Sequence, residues 1–404
     1  MMDLFWLEHK KLWRRMSTKV SVILCLTYSV IFGSFLNYQW FTFGSHNLYQ
    51  TAFGNDFDGY ANIMDSQVHA KAYAGELTDE TVQELIKDYQ NLAANDKETK
   101  NTDWSAVNDW LQVLYPELRD TGMIYDNLMI SYVEPEKVTG FYERREQAVR
   151  DFLQANGQLG EEMEYLLQMN EKVDTPFYYD WIEGWEILIG YGIPQQNVVV
   201  AMFLAIVLST VFAGEWHNNT SSLLLTMKSG WHKVAYAKAE SGIAFAVELF
   251  AMLTVGSVAA QLLYLGTSGW NMPIQNIKMI AVAPMNMLQA EIYEYAHLFL
   301  GMIGYAGLVI LISASVKSNV LALLLSFAAA YAPTMIAEYL PYGAQKALDL
   351  IPLSGSSADI FRTNTFHIFG KYIWSPYLLI TVPVFVGIVC VPFAVRRWAR
   401  RMRV

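Results

Sequence analysis

The sequence predicts an all-α polytopic membrane protein with six transmembrane helices, an N-terminal amphipathic helix and a large, mainly helical extracytoplasmic insertion between spans one and two. Three observations predict this fold class. Apolar residues gather into runs of about 20 residues, the length at which a helix crosses a bilayer. Charged residues make up only 16% of the 404 residues, compared with about 25% in soluble domains. Acidic residues are concentrated in one segment, 41–194, which contains 10 Lys/Arg and 28 Asp/Glu.

The N-terminal segment predicts a helix on the inner membrane face, followed by the first span. Residues 3–16 interleave leucines and aromatic residues with basic ones, a pattern typical of an interfacial helix. Residues 20–40 form an apolar run that ends with Tyr38 and Trp40, which suit the membrane–water interface. Five Lys/Arg precede this run, so the N-terminus is predicted to be cytoplasmic.

The insertion, residues 41–194, is predicted to be extracytoplasmic and folded. It is rich in Tyr, Phe and Trp, which disordered tethers lack. Helices are predicted at 78–93, 103–115 and 141–170. The two cysteines of the chain, Cys25 and Cys390, lie in apolar runs elsewhere, so no disulfide constrains the insertion. We therefore expect this segment to fold as a separate, mostly helical domain when it is expressed alone.

The rest of the chain predicts five further spans. They are expected at about 196–213, 242–264, 298–315, 319–339 and 373–394. The chain thus divides into 1–40, 41–194 and 195–404. The predicted inner segments contain 14 Lys/Arg and the two short outer loops contain four, so both termini are predicted to be cytoplasmic in a multi-pass cell-membrane protein. Apolar patches in the last outer segment, 340–372, are compatible with a hairpin that re-enters the membrane.

One stretch, residues 212–238, joins the second and third spans on the basic side. The apolar run ends at Ala213, and Glu215 follows directly. A polar cluster then precedes a short apolar patch, and three lysines complete the stretch. This pattern predicts a short amphipathic helix at the cytoplasmic membrane surface.

This stretch resembles the loop after the second span of type-2 ABC transporter permeases. In that family an acidic residue, a Thr, an apolar run, a basic cluster and a Lys follow one another in this order. The matching residues are Glu215, Thr220, Leu223, Leu224, Leu225, Lys228, His232, Lys233 and Lys238. The chain departs from the family at Asn219, where Gly is common, and at Lys228-Ser229-Gly230, where Pro is common.

The resemblance implies a permease subunit that moves its substrate across the cytoplasmic membrane. A separate ATP-binding subunit would dock on the cytoplasmic helix at 215–232, and a second permease copy or a homologous permease would complete the transporter. The large outer insertion is similar to that of exporting branches. The family also has an N-terminal elbow helix and a re-entrant outer hairpin at the corresponding places, and both contact membrane lipid.

The motifs exclude several chemistries from this chain. No G-x-x-x-x-G-K-[ST] phosphate-binding loop is present in the sequence, so ATP and Mg²⁺ would be bound by the partner ATPase and not by this chain. No catalytic residues, cofactor or nucleic-acid partner are predicted. Glu291, Glu294 and His297 share one helix face by their spacing of three. They could bind a metal, but a solvated interfacial face is the commoner reason for such a set.

Two carboxylates adjoin the membrane. Glu248, about six residues into the third span, is either a pathway or coupling residue or a group close enough to the inner interface to find water or a Lys. Glu215 needs a basic partner, either in this chain, such as Lys228 or an N-terminal Arg, or on the ATPase. An exposed pair is worth about 0–1 kcal/mol, so we expect Glu215→Lys to fold normally.

A different class of function is also open. The insertion could be the ligand domain of a membrane-anchored sensor or relay protein, with the spans transmitting the signal. The inner segments of this sequence are all short, so such a relay would need a partner to provide its output domain.

Overall fold

The protein is mostly helical, and five of its described helices are long and apolar enough to cross a membrane. The computed structural model describes residues 2–30, 67–68, 70–94, 104–119, 129–217, 231–264 and 266–401. The five candidate spans are Gln196–Trp216, His232–Leu263, Met287–Ser315, Asn319–Ala337 and Ser375–Arg401. Length and composition therefore identify a membrane protein.

The chain begins with two helices, α1 (Met2–Arg14) and α2 (Met16–Val30). The apolar helix α2 covers the first half of the predicted span at 20–40, and residues 31–40 lie outside the described residues. Lysines and arginines are interspersed among the apolar residues of α1. The buried face of this helix consists of His9 and Leu12. This face packs on a later helix of the bundle.

Six of the described helices form the bundle. They are α8 (Ile193–Leu208), α9 (Thr210–His217), α10 (Trp231–Tyr264), α11 (Met287–Ser315), α12 (Asn319–Ala337) and α14 (Ser375–Arg401). The predicted spans at 242–264 and 298–315 are the apolar parts of longer helices, α10 and α11. Hydropathy detects only the apolar part, whereas the helix continues through polar residues that keep its backbone hydrogen bonds. A capping box formed by Asn286 and Gln289 marks the start of α11.

The centre of the bundle is α11, which packs closely on α14. A Cβ atom added to Gly304 would lie 2.4 Å from the carbonyl oxygen of Pro383, and one added to Gly307 would lie 2.9 Å from the Cα of Gly387. Only glycine allows two helix backbones to approach this closely. These glycines thus permit the close packing of α11 on α14.

A second layer covers one end of the bundle. Its helices are α3 (Asp79–Ala94), α4 (Trp104–Leu114), α5 (Phe141–Ala155), α6 (Glu161–Asn170) and the short α7 (Glu183–Ile187). A two-stranded ladder pairs β1 (Gly75–Glu76) with β2 (Tyr178–Tyr179). The predicted helices at 78–93 and 103–115 are confirmed. The helical stretch predicted at 141–170 consists of two helices, because Gly157 and Gly160 adopt positive φ angles and separate α5 from α6.

This layer shares one hydrophobic core with two later segments of the chain. We call the assembly the cap: the described residues within 67–189, together with 266–286 and 357–374. Ile274 and Met279, from the connection between α10 and α11, lie in the same core as Leu85, Trp110 and Leu153. The described residues of the insertion share their core with these later segments, which argues against the expectation that the insertion folds alone.

Arg145 shows how tightly the segments are joined. Its guanidinium is buried and donates hydrogen bonds to the carbonyl oxygens of Met279 (3.0 Å) and Ala281 (3.0 Å) and to Oδ1 of Asn170 (2.8 Å). Burial lowers the pKa of the Arg145 guanidinium to about 10, so it stays charged at neutral pH. Two of its three acceptors belong to the 266–286 segment.

The last cap segment contacts both layers. After α13 (Tyr342–Asp349), the chain turns so that Leu353 packs in the bundle core, whereas Ile360 packs in the cap core. Strands β3 (Thr365–Ile368) and β4 (Lys371–Trp374) then form a hairpin that leads directly into α14. The segment thus links the end of the bundle to the cap.

Candidate functional site

The basic end of the bundle, opposite the cap, contains the residues of the 212–238 stretch that the structure describes. It is formed by α1, the end of α9, the start of α10 and the end of α14. The basic side chains exposed there are Lys10, Arg14, Lys233, Arg396, Arg397 and Arg400. Of the predicted docking residues, Thr220, Leu223, Leu224, Leu225 and Lys228 lie outside the described residues. His232 and Lys233 are exposed at the start of α10.

Glu215 and Lys238, which stand on either side of this loop, form a buried ion pair. Nζ of Lys238 lies 2.7 Å from Oε1 of Glu215 and 2.7 Å from Oε2 of Glu8. Nζ of Lys11 also donates to Oε1 of Glu215. Glu215 is 4% exposed and Lys238 is 2% exposed. Among the described residues, the in-chain partners of Glu215 are Lys11 and Lys238, whereas Lys228 lies outside them.

Arg15 joins α1 to the same region through a different contact. Its guanidinium donates to Oγ1 of Thr210, at the start of α9. Burial lowers the pKa of the Arg15 guanidinium, and the carboxylates of Glu215 and Glu8 oppose this shift. Alternating acidic and basic groups therefore connect α1 with both helices that flank the loop.

Glu248 is paired as well, on the same helix as Lys238 but about three turns further along. Nε2 of His9 lies 2.9 Å from Oε1 of Glu248, and Nε1 of Trp13 donates to Oε2 at 2.8 Å. Nδ1 of His9 lies 3.5 Å from Oγ of Ser241. The partners of Glu248 are thus side chains of α1, where water or a Lys was expected.

The junction between α8 and α9 is interrupted at Ser209 by a side chain of α11. Oγ of Ser313 donates to the Ser209 carbonyl oxygen at 2.6 Å and accepts from the N–H groups of Phe212 (3.0 Å) and Ala213 (3.1 Å). In a regular helix the N–H of Ala213 donates to the carbonyl of Ser209, whereas here both groups bond to the same hydroxyl. We call this arrangement the Ser313 clip. Insertion of a side chain into the backbone ladder is a recognised cause of helix kinks.

The Ser313 clip and the ion pair of Glu215 both involve the short helix α9. Thr210 and Glu215 are both on α9, which is only eight residues long. On its far side, Trp216 lies beneath the ammonium of Lys317, 4.9 Å from the ring centre. The short helix α9 is thus attached to α1, α10 and the α11–α12 turn at one end and is separated from α8 by a break at the other.

Sequence reasoning missed the N-terminal half of the site. Glu8 and Lys11 are three residues apart, and His9 and Trp13 are four apart, so each pair shares a face of α1. This spacing could have indicated from the sequence that α1 presents paired polar side chains on one face. Their partners could not be read from the sequence, because they lie more than 200 residues away in the chain.

Glu291, Glu294 and His297 are placed elsewhere, at the capped end of the bundle. All three are buried, Glu294 and His297 almost completely. The interpretation as a solvated interfacial face is therefore wrong, because the cap covers the start of α11. Among the described residues, no group of three or more His, Cys, Asp or Glu is arranged to hold a metal ion.

No family model, curated protein or solved structure matches this chain. Function is therefore inferred from the geometry of its own residues. At the basic end, that geometry combines an ion pair between the two helices that flank the loop, a short helix that is separated from α8 by a break, and an exposed basic surface.

Proposed function

We propose that this chain is the permease subunit of an ATP-binding cassette transporter of the exporting type. It has six spans, with α2 as the first half of span one and α1 as the elbow helix on the inner membrane face. Both termini are cytoplasmic and the cap is extracytoplasmic. A separate ATPase, which holds ATP and Mg²⁺, docks on the 215–232 segment, and a second copy or a homologous permease completes the transporter.

The observation that supports this proposal is the buried ion pair between Glu215 and Lys238. It closes the base of the 218–230 loop, so the loop leaves and rejoins the bundle at one fixed point. Breaking a buried pair by removing one partner costs about 3–5 kcal/mol. A protein that pushes on the loop therefore moves α9 and the start of α10 together.

The Ser313 clip is the hinge at which α9 moves relative to α8. Backbone groups of α9 bond to a side chain of the central helix α11, so a tilt of α9 changes its contacts with the centre of the bundle. Nucleotide can drive such a change only if the ATPase binds the two arrangements with different affinity. The exposed residues His232 and Lys233 form the rim of the docking surface.

The docking surface is tested by the double variant Leu223→Asp/Leu224→Asp. Two carboxylates in an apolar contact should weaken association with the ATPase at least about tenfold, since a disrupted interface of this kind loses about 2 kcal/mol or more. The measurement is co-purification of a Walker-motif ATPase with the tagged permease, together with transport-coupled ATP hydrolysis.

The matched control is Leu159→Asp, which places the same charge at an exposed leucine of the cap. It should leave ATPase association unchanged. If the double variant inserts normally, binds the ATPase and transports as well as the parent, the loop is not a docking surface and the proposal fails.

A further inference from the structure

A second group of polar side chains lies buried between the capped ends of α8, α10 and α11. We call it the Glu294 cluster: Gln196, Ser257, Glu291, Glu294, His297 and Ser357. All six are less than one-tenth exposed. The elements that carry them are in mutual contact, including the 357–361 turn of the cap with α11. Nε2 of Gln196 lies 3.4 Å from Oγ of Ser257, which joins α8 to α10.

The cluster has more hydrogen-bonding capacity than its described neighbours satisfy. Both carboxylate oxygens of Glu294 are buried with no hydrogen-bond partner among the described residues. The same holds for Nδ1 of His297, Oε1 of Gln196 and Oγ of Ser357. Ser357 faces Glu294 and is its nearest polar neighbour from the cap, but one hydroxyl cannot satisfy both carboxylate oxygens. Buried polar groups in native proteins are almost always hydrogen-bonded, so these atoms indicate an absent ligand.

The unsatisfied atoms decide the chemistry of that ligand. Carboxylate and amide oxygens are acceptors only, so the ligand must donate several hydrogen bonds. Glu294 lies one turn from Glu291, a second carboxylate, and a positively charged ligand would offset the cost of burying the two together. The described residues offer no set of three metal-binding side chains, which argues against a divalent metal. A protonated primary amine has three donors and one positive charge.

We propose that the Glu294 cluster binds a small primary ammonium ion, with Glu294 as its counter-ion and Ser357, Gln196 and Glu291 as further acceptors. This site lies at the opposite end of the bundle from the ATPase surface. The proposal concerns binding to this chain alone, so it stands or falls separately from the transporter function.

A cavity of about 130 Å³ lies between α8, α12 and the 353–356 segment, beside the Glu294 cluster in the chain. Its lining includes Asn197, Tyr331, Ser354 and Ser356, and the first and last of these directly adjoin Gln196 and Ser357 in the chain. Oδ1 of Asn197 and Oγ of Ser354 are also buried without a hydrogen-bond partner among the described residues. A cavity of this volume holds several water molecules, so it admits a small hydrated amine.

Binding is tested on the purified full-length protein with methylammonium chloride as the probe and potassium chloride at equal ionic strength as the salt control. Methylammonium should raise the midpoint of thermal unfolding in a saturable manner, because a ligand that binds only the folded state stabilises it. Glu294→Gln should weaken the apparent affinity at least about tenfold, since it removes a charge-assisted contact. Glu240→Gln, at an exposed glutamate of α10, should bind like the parent.

Glu294→Gln is expected to fold, because it removes a buried charge and keeps the shape of the side chain. Ser357→Ala leaves both carboxylates in place and should weaken binding severalfold, which provides a second variant should the first be unstable. Equal stabilisation of the parent and Glu294→Gln would overturn the proposal. The proposal would also be overturned if acid, acting through Glu294, stabilised the parent and methylammonium did not. The Glu294 cluster would then bind only a proton.

Discussion

At the scale of single residues, the sequence indicated which side chains matter at the basic end but not what they contact. Glu215 and Lys238 were predicted because of their positions at the two ends of a polar loop, and both were assigned to an ATPase contact. The structure buries them against each other and against Glu8 and Lys11. A buried charge is tolerated only with a partner, and partners more than 200 residues away leave no local trace in the sequence.

The burial of Glu215 reverses the outcome expected for Glu215→Lys. The new ammonium would lie beside those of Lys11 and Lys238 in a site with little water. Since breaking a buried pair costs about 3–5 kcal/mol, we expect a clear fall in the midpoint of thermal unfolding and in the yield of folded protein. Fluorescence-detected size exclusion and a thermal melt of the full-length chain measure both quantities.

The control for this variant is Glu240→Lys, which makes the same change on the exposed face of α10 and should leave the melting midpoint unchanged. A Glu215→Lys protein as stable as the parent would show that the ion pair contributes nothing to folding. Glu215 would then be free to act only at the docking surface.

At the scale of elements, the long apolar helices were predictable because the bilayer sets their length. The ends of these helices were less predictable, because polar residues extend a helix without adding to its hydropathy. Helix α10 begins at Trp231 and α14 continues to Arg401. The break at Ser209 was not predictable. The side chain that causes it, Ser313, lies 104 residues further along the chain.

Removing the Ser313 clip should loosen the junction between α8 and α9. Ser313→Ala deletes one acceptor for Phe212 and Ala213 and one donor to Ser209, and unsatisfied buried groups cost about 1–3 kcal/mol. We expect the backbone amides of residues 210–213 to exchange hydrogen faster by about tenfold or more, because each 1.4 kcal/mol is a factor of ten. Hydrogen exchange measured on peptides that span this junction tests the expectation.

Ser315→Ala is the matched control, since Ser315 lies two residues further along α11 and is only partly buried. It should leave exchange at the junction as in the parent. Unchanged exchange in Ser313→Ala as well would show that α8 and α9 rejoin as one regular helix, and the hinge would be lost from the proposed mechanism.

At the scale of the whole molecule, composition predicted a large acidic, helical insertion but not its dependence on the rest of the chain. Periodicity identifies which face of a helix is buried and says nothing about which segment covers it. Ile274 and Met279 complete the core from the α10–α11 connection, and Ile360 and Trp374 complete it from the last cap segment. The cap therefore joins the ends of four bundle helices, α8, α10, α11 and α14, to one body.

This shared core predicts how fragments of the protein behave. Residues 41–194 alone would expose the apolar surface that Ile274 and Met279 cover, and each such side chain contributes about 1.5–3 kcal/mol when buried. Arg145 would also lose two of its three acceptors. Domain stabilities are only about 5–15 kcal/mol, so we expect the fragment to melt without a cooperative transition. Joining residues 266–290 to it through a flexible linker should restore one.

Circular dichroism melts of the two fragments make the comparison, and a fusion that carries a scrambled 266–290 sequence is the control for chain length and composition. The scrambled fusion should behave like the fragment alone, because it cannot offer the carbonyl groups of Met279 and Ala281 in the right place. A cooperative melt of 41–194 by itself, at the same midpoint as the true fusion, would show that the insertion is an independent domain. The cap would then rest on the bundle as a separate body and could not hold the ends of its spans together.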